Sequence, residues 1–175
     1  MSGLRSQFSL AAHLQSTKPP WTILLVLKKG RGAESAIKVP AGFLVKVVHG
    51  NKCRDSAALF AEMAEALEFP DYFGHNWDAL EECLADLEWL PAKGYVLLFT
   101  EAERILSDDE DAFSMFVEVL NDAAEGWAAG EPGKRAKPFH AALAVSERNS
   151  SKRTHWGVPQ VAVPPTGHRP TGKSR

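Results

Sequence analysis

Apolar positions along this chain fall into two patterns, short continuous runs and longer stretches at helical spacing, and they alternate. "WTILLVLKK", from Trp21, is a continuous apolar run closed by Lys28, Lys29 and Gly30, which reads as a buried strand. With "ESAIKVP" behind it, the stretch 21–42 is expected to form a strand or a hairpin. "FLVKVVHG" is a β-branched strand ended by Gly50. "RDSAALFAEMAEALEF" carries Leu59, Met63, Ala66 and Leu67 at helical spacing, with Asp55 or Ser56 as its cap and Pro70 as its stop. "GYVLLFT" is a second strand, "EAERIL" a short helical turn, and "DEDAFSMFVEVLNDAAEGW" an amphipathic helix burying Phe113, Phe116, Val117 and Leu120. "FHAALAVS" closes the pattern as a third strand. Each connection is long enough to carry a helix over the sheet, so the strands are expected to pair in parallel. The prediction is an α/β layer structure, a small three-stranded parallel sheet packed with helices over residues 43–146. The extension 21–42 adds a strand or hairpin, after a flexible N-terminus over 1–20.

Between the first two long helices lies "PDYFGHNWDALEECL". Pro70 ends one helix, Gly74 permits a tight bend, and Asn76 is a good cap for a helix starting at Trp77. In that register Trp77, Leu80, Leu84 and Leu87 face the core, while Asp78, Glu82 and Asp86 stand at i, i+4 and i+8 on another face, flanked by Glu81. Asp78 gains from the helix dipole, but like charges one turn apart cost roughly 0.2–0.5 kcal/mol per pair. A carboxylate stripe that opposes its own helix calls for a functional reason. With Tyr72 on the preceding loop it forms an acidic, aromatic projection suited to a cationic cleft that binds phosphate, such as that of a nuclease.

Charge sharpens this picture. The net charge of −2 hides a dipolar chain, because 20 of the 22 acids and only two bases, Lys93 and Arg104, fall between Asp55 and Glu131. Such asymmetry steers a basic partner toward the acidic part. The stretch 147–175 is rich in Pro, Gly, Ser and bases without apolar periodicity, and is expected to be a disordered, solubilising tail. No apolar run approaches the roughly 18–20 residues of a membrane span, and the N-terminus fits a secretory signal poorly. A cytoplasmic protein is the expectation. Cys53 and Cys83 have neither metal-ligand nor redox-motif spacing and read as buried free thiols.

At these residues the sequence resembles a known family. "LEFPDYFGHNWDALEECLADLEWLP" is similar to the central segment of barstar, the intracellular inhibitor of barnase-type bacterial ribonucleases. The similarity extends from about Val47 to Val145. It implies a barstar-like fold with no enzymatic activity and no cofactor, which plugs a basic ribonuclease active site 1:1, as an immunity protein or antitoxin does. By resemblance Tyr72, Gly74, Asn76 and Asp78 match family contact positions, and Glu82 stands where the family has the aspartate that enters the phosphate pocket. Glu81 replaces an exposed tryptophan, Leu87 a second one, and His75 an acid. A further contact on the last long helix falls on Asn121 or Asp122. These departures imply a target related to barnase rather than barnase itself.

Other chemistries fit less well. Asp78 and Glu82 as an acid and base pair would need a concave site between them, which adjacent turns of one exposed helix do not provide. His13, His49, His75, His140, His155 and His168 show no metal-ligand spacing, and neither "GRGAESA" nor "GEPGKRAKP" is a phosphate-binding loop. Trp77 and Trp89 are expected in the core. Nothing in the basic tail orders aromatic residues for direct nucleic-acid binding. The alternative from a different class is a barstar-like scaffold reused as a binding module for a non-nuclease partner or a different toxin.

Overall fold

The computed structural model describes residues 8–163 and contains one sheet of five strands, all parallel, where three had been expected. The strands are β1 (Thr22–Leu27), β2 (Phe43–His49), β3 (Gly94–Thr100), β4 (Phe139–Ser146) and β5 (Gln160–Ala162), in the spatial order β2-β3-β4-β1-β5. The helices are α1 (Leu10–Leu14), α2 (Ala33–Ala36), α3 (Ser56–Ala66), α4 (Trp77–Asp86) and α5 (Phe113–Ala129).

The expected hairpin over 21–42 does not form. All six residues of β1 are buried, and a strand buried on both faces needs neighbours on both edges. It finds them in β4, with Leu24 opposite Leu143, and in β5, with Leu25 opposite Val161. "ESAIKVP" supplies α2 instead, whose Ala36 and following Ile37 pack on the sheet with Ile23, Leu25, Leu98 and Ala144. The N-terminal stretch is likewise structured from Leu10. Ser9 caps α1 by accepting from the Ala12 N–H, Leu14 is fully buried, and His140 on β4 bonds the Ser16 carbonyl at 2.7 Å. Residues 1–7 of the expected flexible segment lie outside the described residues.

The expected disordered tail is also corrected as far as Val163; residues 164–175 lie outside the described residues. Residues 147–152 wind into a 3-10 turn, and β5 follows. Arg153 is the reason. It is buried, donates to the Ile105 carbonyl, and lays its guanidinium 3.8 Å from the centroid of the Phe113 ring and 5.5 Å from that of Trp156. Tertiary contacts of one cation with two aromatic rings order a segment whose composition favours disorder.

The sheet carries two cores. On one face α3, α4 and α5 cover Leu24, Val26, Leu97, Phe99, Leu143 and Val145; on the other α1, α2 and Val163 cover Ile23, Leu25, Val96 and Ala142. The crossover from β1 back to the far edge at β2 runs over the second face, while those stepping toward β5 run over the first. Reversing both direction and face preserves one crossover hand. This topology stands α4 on the outside of the first layer, packed against α5.

Candidate functional site

The loop before α4 is fixed by alternate residues. Phe73 is buried, edge-on to Phe60 and Phe69 at 6.4 and 4.8 Å, while its neighbour Tyr72 is 74% exposed. The Phe73 N–H closes a turn onto the Pro70 carbonyl. Phe73, missed in the sequence reading, is the anchor that makes Tyr72 project. Its signal was the aromatic pair itself, since a turn that buries one ring leaves the other at its exposed corner.

Asn76 caps α4 as expected, its Oδ1 accepting from the Ala79 N–H at 2.8 Å. Gly74 has a different part from the bend it was expected to make. The left-handed residue is His75, at φ 51, and Gly74 gives room to the cap. A Cβ on Gly74 would lie 3.1 Å from Asn76 Nδ2, which donates to the Gly74 carbonyl. Trp77 is half-buried, edge-on to Phe60 at 5.0 Å, and Leu80 and Leu84 are fully buried. Leu87 is buried too, but it lies just past the helix with φ 44, its N–H on the Cys83 carbonyl.

With that face inward, Asp78, Glu81, Glu82 and Asp86 are all exposed. Among the described residues none of the four has a cationic partner, and the nearest ion-pair network joins Lys134 to Glu131 at 3.0 Å and to Glu88 at 3.7 Å. Partial desolvation, then the field of Asp86 with Glu88 and Glu82 beyond it, pushes the Tyr72 hydroxyl above the ordinary tyrosine value. With the ring largely in solvent, the carboxylate field is the informative part. The carboxylates that act on the hydroxyl stand in the second half of α4 and just past its end.

The second wall belongs to α5. Trp127 donates its indole N–H to the Leu84 carbonyl at 2.8 Å, and a groove of about 570 Å³ runs between the helices, lined by Glu82, Ala85 and Asp86 on one side and Ala123, Gly126 and Trp127 on the other. Lys134 and Arg135 close one end. Asp122 is exposed one turn before Gly126, on the same side of α5 by helical spacing, whereas its neighbour Asn121 is half-buried. Trp127 and this groove were not foreseen, because they depend on how α4 and α5 pack.

The arrangement is an exposed acidic and aromatic surface on two packed helices, with a groove between them. None of the four main cavities among the described residues is lined by both Asp78 and Glu82, and no three His, Cys, Asp or Glu residues among the described ones are grouped to hold a metal ion. No helix among the described residues is long and apolar enough to cross a membrane. Residues 43–144, more than half of the chain, match the family model described as Barstar (barnase inhibitor), covering β2 to β4 and the whole acidic surface but neither β1 nor β5. No curated protein matches the chain.

Proposed function

The chain belongs to the barstar family, a family of barnase inhibitors, and on that premise we propose that it inhibits a barnase-like ribonuclease by covering the enzyme's phosphate-binding site with α4 and the loop before it. The observation that carries this reading is the row of exposed carboxylates, Asp78, Glu82 and Asp86, unpaired among the described residues and preceded by a loop that exposes Tyr72. Carboxylates carried on a preformed helix need no backbone ordering when a cationic cleft closes on them, and each charge-assisted bond to Arg or Lys is worth more than a neutral one.

Asp78 and Glu82 are the principal contacts in this reading. Tyr72 supplies an aromatic anchor, Glu81 and Asp122 extend the acidic rim, and Gly74 and Asn76 hold the loop and helix start in register. Glu82 reaches one methylene further than an aspartate would, which suits a phosphate pocket set deeper or wider than that of barnase itself. Leu87, fully buried, contributes no contact. The protein acts stoichiometrically, one inhibitor to one enzyme, without catalysis of its own, in the manner of a bacterial cytoplasmic immunity protein or antitoxin. The charge imbalance supports fast, salt-sensitive association, since an acidic region steers a basic enzyme onto it.

The test is a titration of the protein into RNA cleavage by a panel of basic microbial ribonucleases, at low and moderate salt. Stoichiometric inhibition of one enzyme, weakened by salt and lost in Asp78→Ala/Glu82→Ala with folding intact, is the expected result. A double variant that inhibits as well as the parent would overturn the reading. Inhibition of none would transfer the surface to a partner that is not a nuclease.

A further inference from the structure

A second site lies away from the acidic stripe, between the C-terminal segment outside the family match and the start of α5 inside it. Residues 152–157 fold against the start of α5 and leave a cavity of about 530 Å³, within the range of small-molecule sites. Lys152, Arg153, His155 and Trp156 line it from the C-terminal segment, and Glu110 and Phe113 from the helix side, together with Asp111.

Arg153 is the unusual member. Only 8% of it is exposed, one of its terminal nitrogens bonds the Ile105 carbonyl, and its Nε is buried with no acceptor among the described residues. Among the described residues no carboxylate pairs with it. Burial pulls its pKa below the ordinary guanidinium value, and Glu110, exposed and not paired, offsets this only in part. The Phe113 and Trp156 rings offset part of the cost of burying this cation, but it has no counter-ion among the described residues, and it borders an open cavity. We propose that this cavity binds a small planar ligand carrying a phosphate group, a purine mononucleotide, with Arg153 as its anion-binding residue.

Three features select this chemistry. Arg153 and Lys152 offer two positive charges and His155 a ring nitrogen, more donors than a single carboxylate uses, which suits a phosphomonoester. Trp156, half-buried and held by its indole N–H on the Ser150 carbonyl, offers a flat face for a ring. Glu110 and Asp111 would repel a polyanion such as RNA, yet they accept hydrogen bonds from the amino and imino groups of a base. Guanine presents two such donors side by side and adenine one amino group, so guanine nucleotides bind more tightly.

The test is calorimetric titration of the full chain with GMP, AMP, guanosine and inorganic phosphate. GMP is expected to bind saturably, AMP more weakly, and phosphate weakly and in competition with GMP. Arg153→Met should weaken GMP by about tenfold or more. Because Arg153 also holds the C-terminal segment, the exposed pair Lys152→Gln/His155→Gln is measured alongside, and a severalfold weakening there supports the site even where Arg153→Met does not fold. Absence of GMP binding overturns the proposal, as does guanosine binding as tightly as GMP, or GMP affinity unchanged in the rim variant. Loss of ribonuclease inhibition has no bearing on these outcomes, which report on this cavity alone.

Discussion

The indole of Trp127 on α5 satisfies the carbonyl of Leu84 in the last turn of α4. Helix C-termini leave carbonyls without intrahelical partners, and this one is met by a side chain 43 residues away. The acidic stripe is therefore held by the packing of two helices.

Trp127→Phe keeps most of the ring's packing against Tyr95 and removes the donor, leaving the Leu84 carbonyl short of a partner. A loss of about 1–2 kcal/mol in urea unfolding is expected. An unchanged unfolding midpoint would show that water replaces the indole without cost.

Glu82 stands one turn from both Asp78 and Asp86, so neutralising it relieves two repulsions. Glu82→Gln is expected to stabilise the free protein by about 0.4–1 kcal/mol while weakening inhibition of the target ribonuclease. Thermal unfolding and inhibition titrations on the same preparation test the opposed signs. Gains in both, or losses in both, would contradict a stripe kept for binding.

His140 links folding to pH. Its Nε2 donates to the Ser16 carbonyl, its Nδ1 is buried without a partner among the described residues, and burial, chiefly, holds its pKa below the ordinary 6.5. A folded value below the unfolded one means that the unfolded chain takes up the proton first. The contribution is fully present above 6.5 and declines as pH falls from there toward the lowered folded value. Urea midpoints from about pH 7.5 to about pH 5 should drop less steeply in His140→Phe than in the parent. Parallel slopes would remove His140 from the account.

The two thiols should be silent in the native state. Burial first, then Glu62, pushes the Cys53 thiol up to about 12 against the opposing Lys52, and burial followed by Asp86 and Glu82 raises that of Cys83. Since the thiolate is the reactive form, labelling by a disulfide reagent near pH 8 should proceed at the rate of unfolding. Labelling of Cys83 within the mixing time would show that α4 opens locally.

Locally determined features were the ones readable from sequence. The Asn76 cap, the helical spacing of Leu80 and Leu84 and the resulting exposure of Asp78 and Glu82 all follow from contacts within a few residues. The bend before α4 was misassigned by one position, because glycine is the usual left-handed residue and here His75 takes that conformation. The place of β1 was missed for the opposite reason, since its partners lie at the other end of the chain. Even so, "TILLVL", apolar at every position but the first, carried the mark of an interior strand, which a hairpin edge does not need. The C-terminal segment was misread because composition reports what a chain does alone, and Arg153 acts only with Phe113 and Trp156 in place.

The position of β1 also sets a timetable for synthesis. Among the described strands it leaves the ribosome first, yet its central neighbour β4 is the last long one, about 110 residues later. At roughly 5–20 residues per second, six buried-type residues wait some 5–20 s without the strand they pair with. Through that interval the nascent chain displays a short apolar β-segment free of charge and proline, the kind that associates with other chains. Lys28 and Lys29, immediately after it and exposed in the finished fold, put two like charges at its end, and nascent chains carrying them resist stacking until β4 arrives.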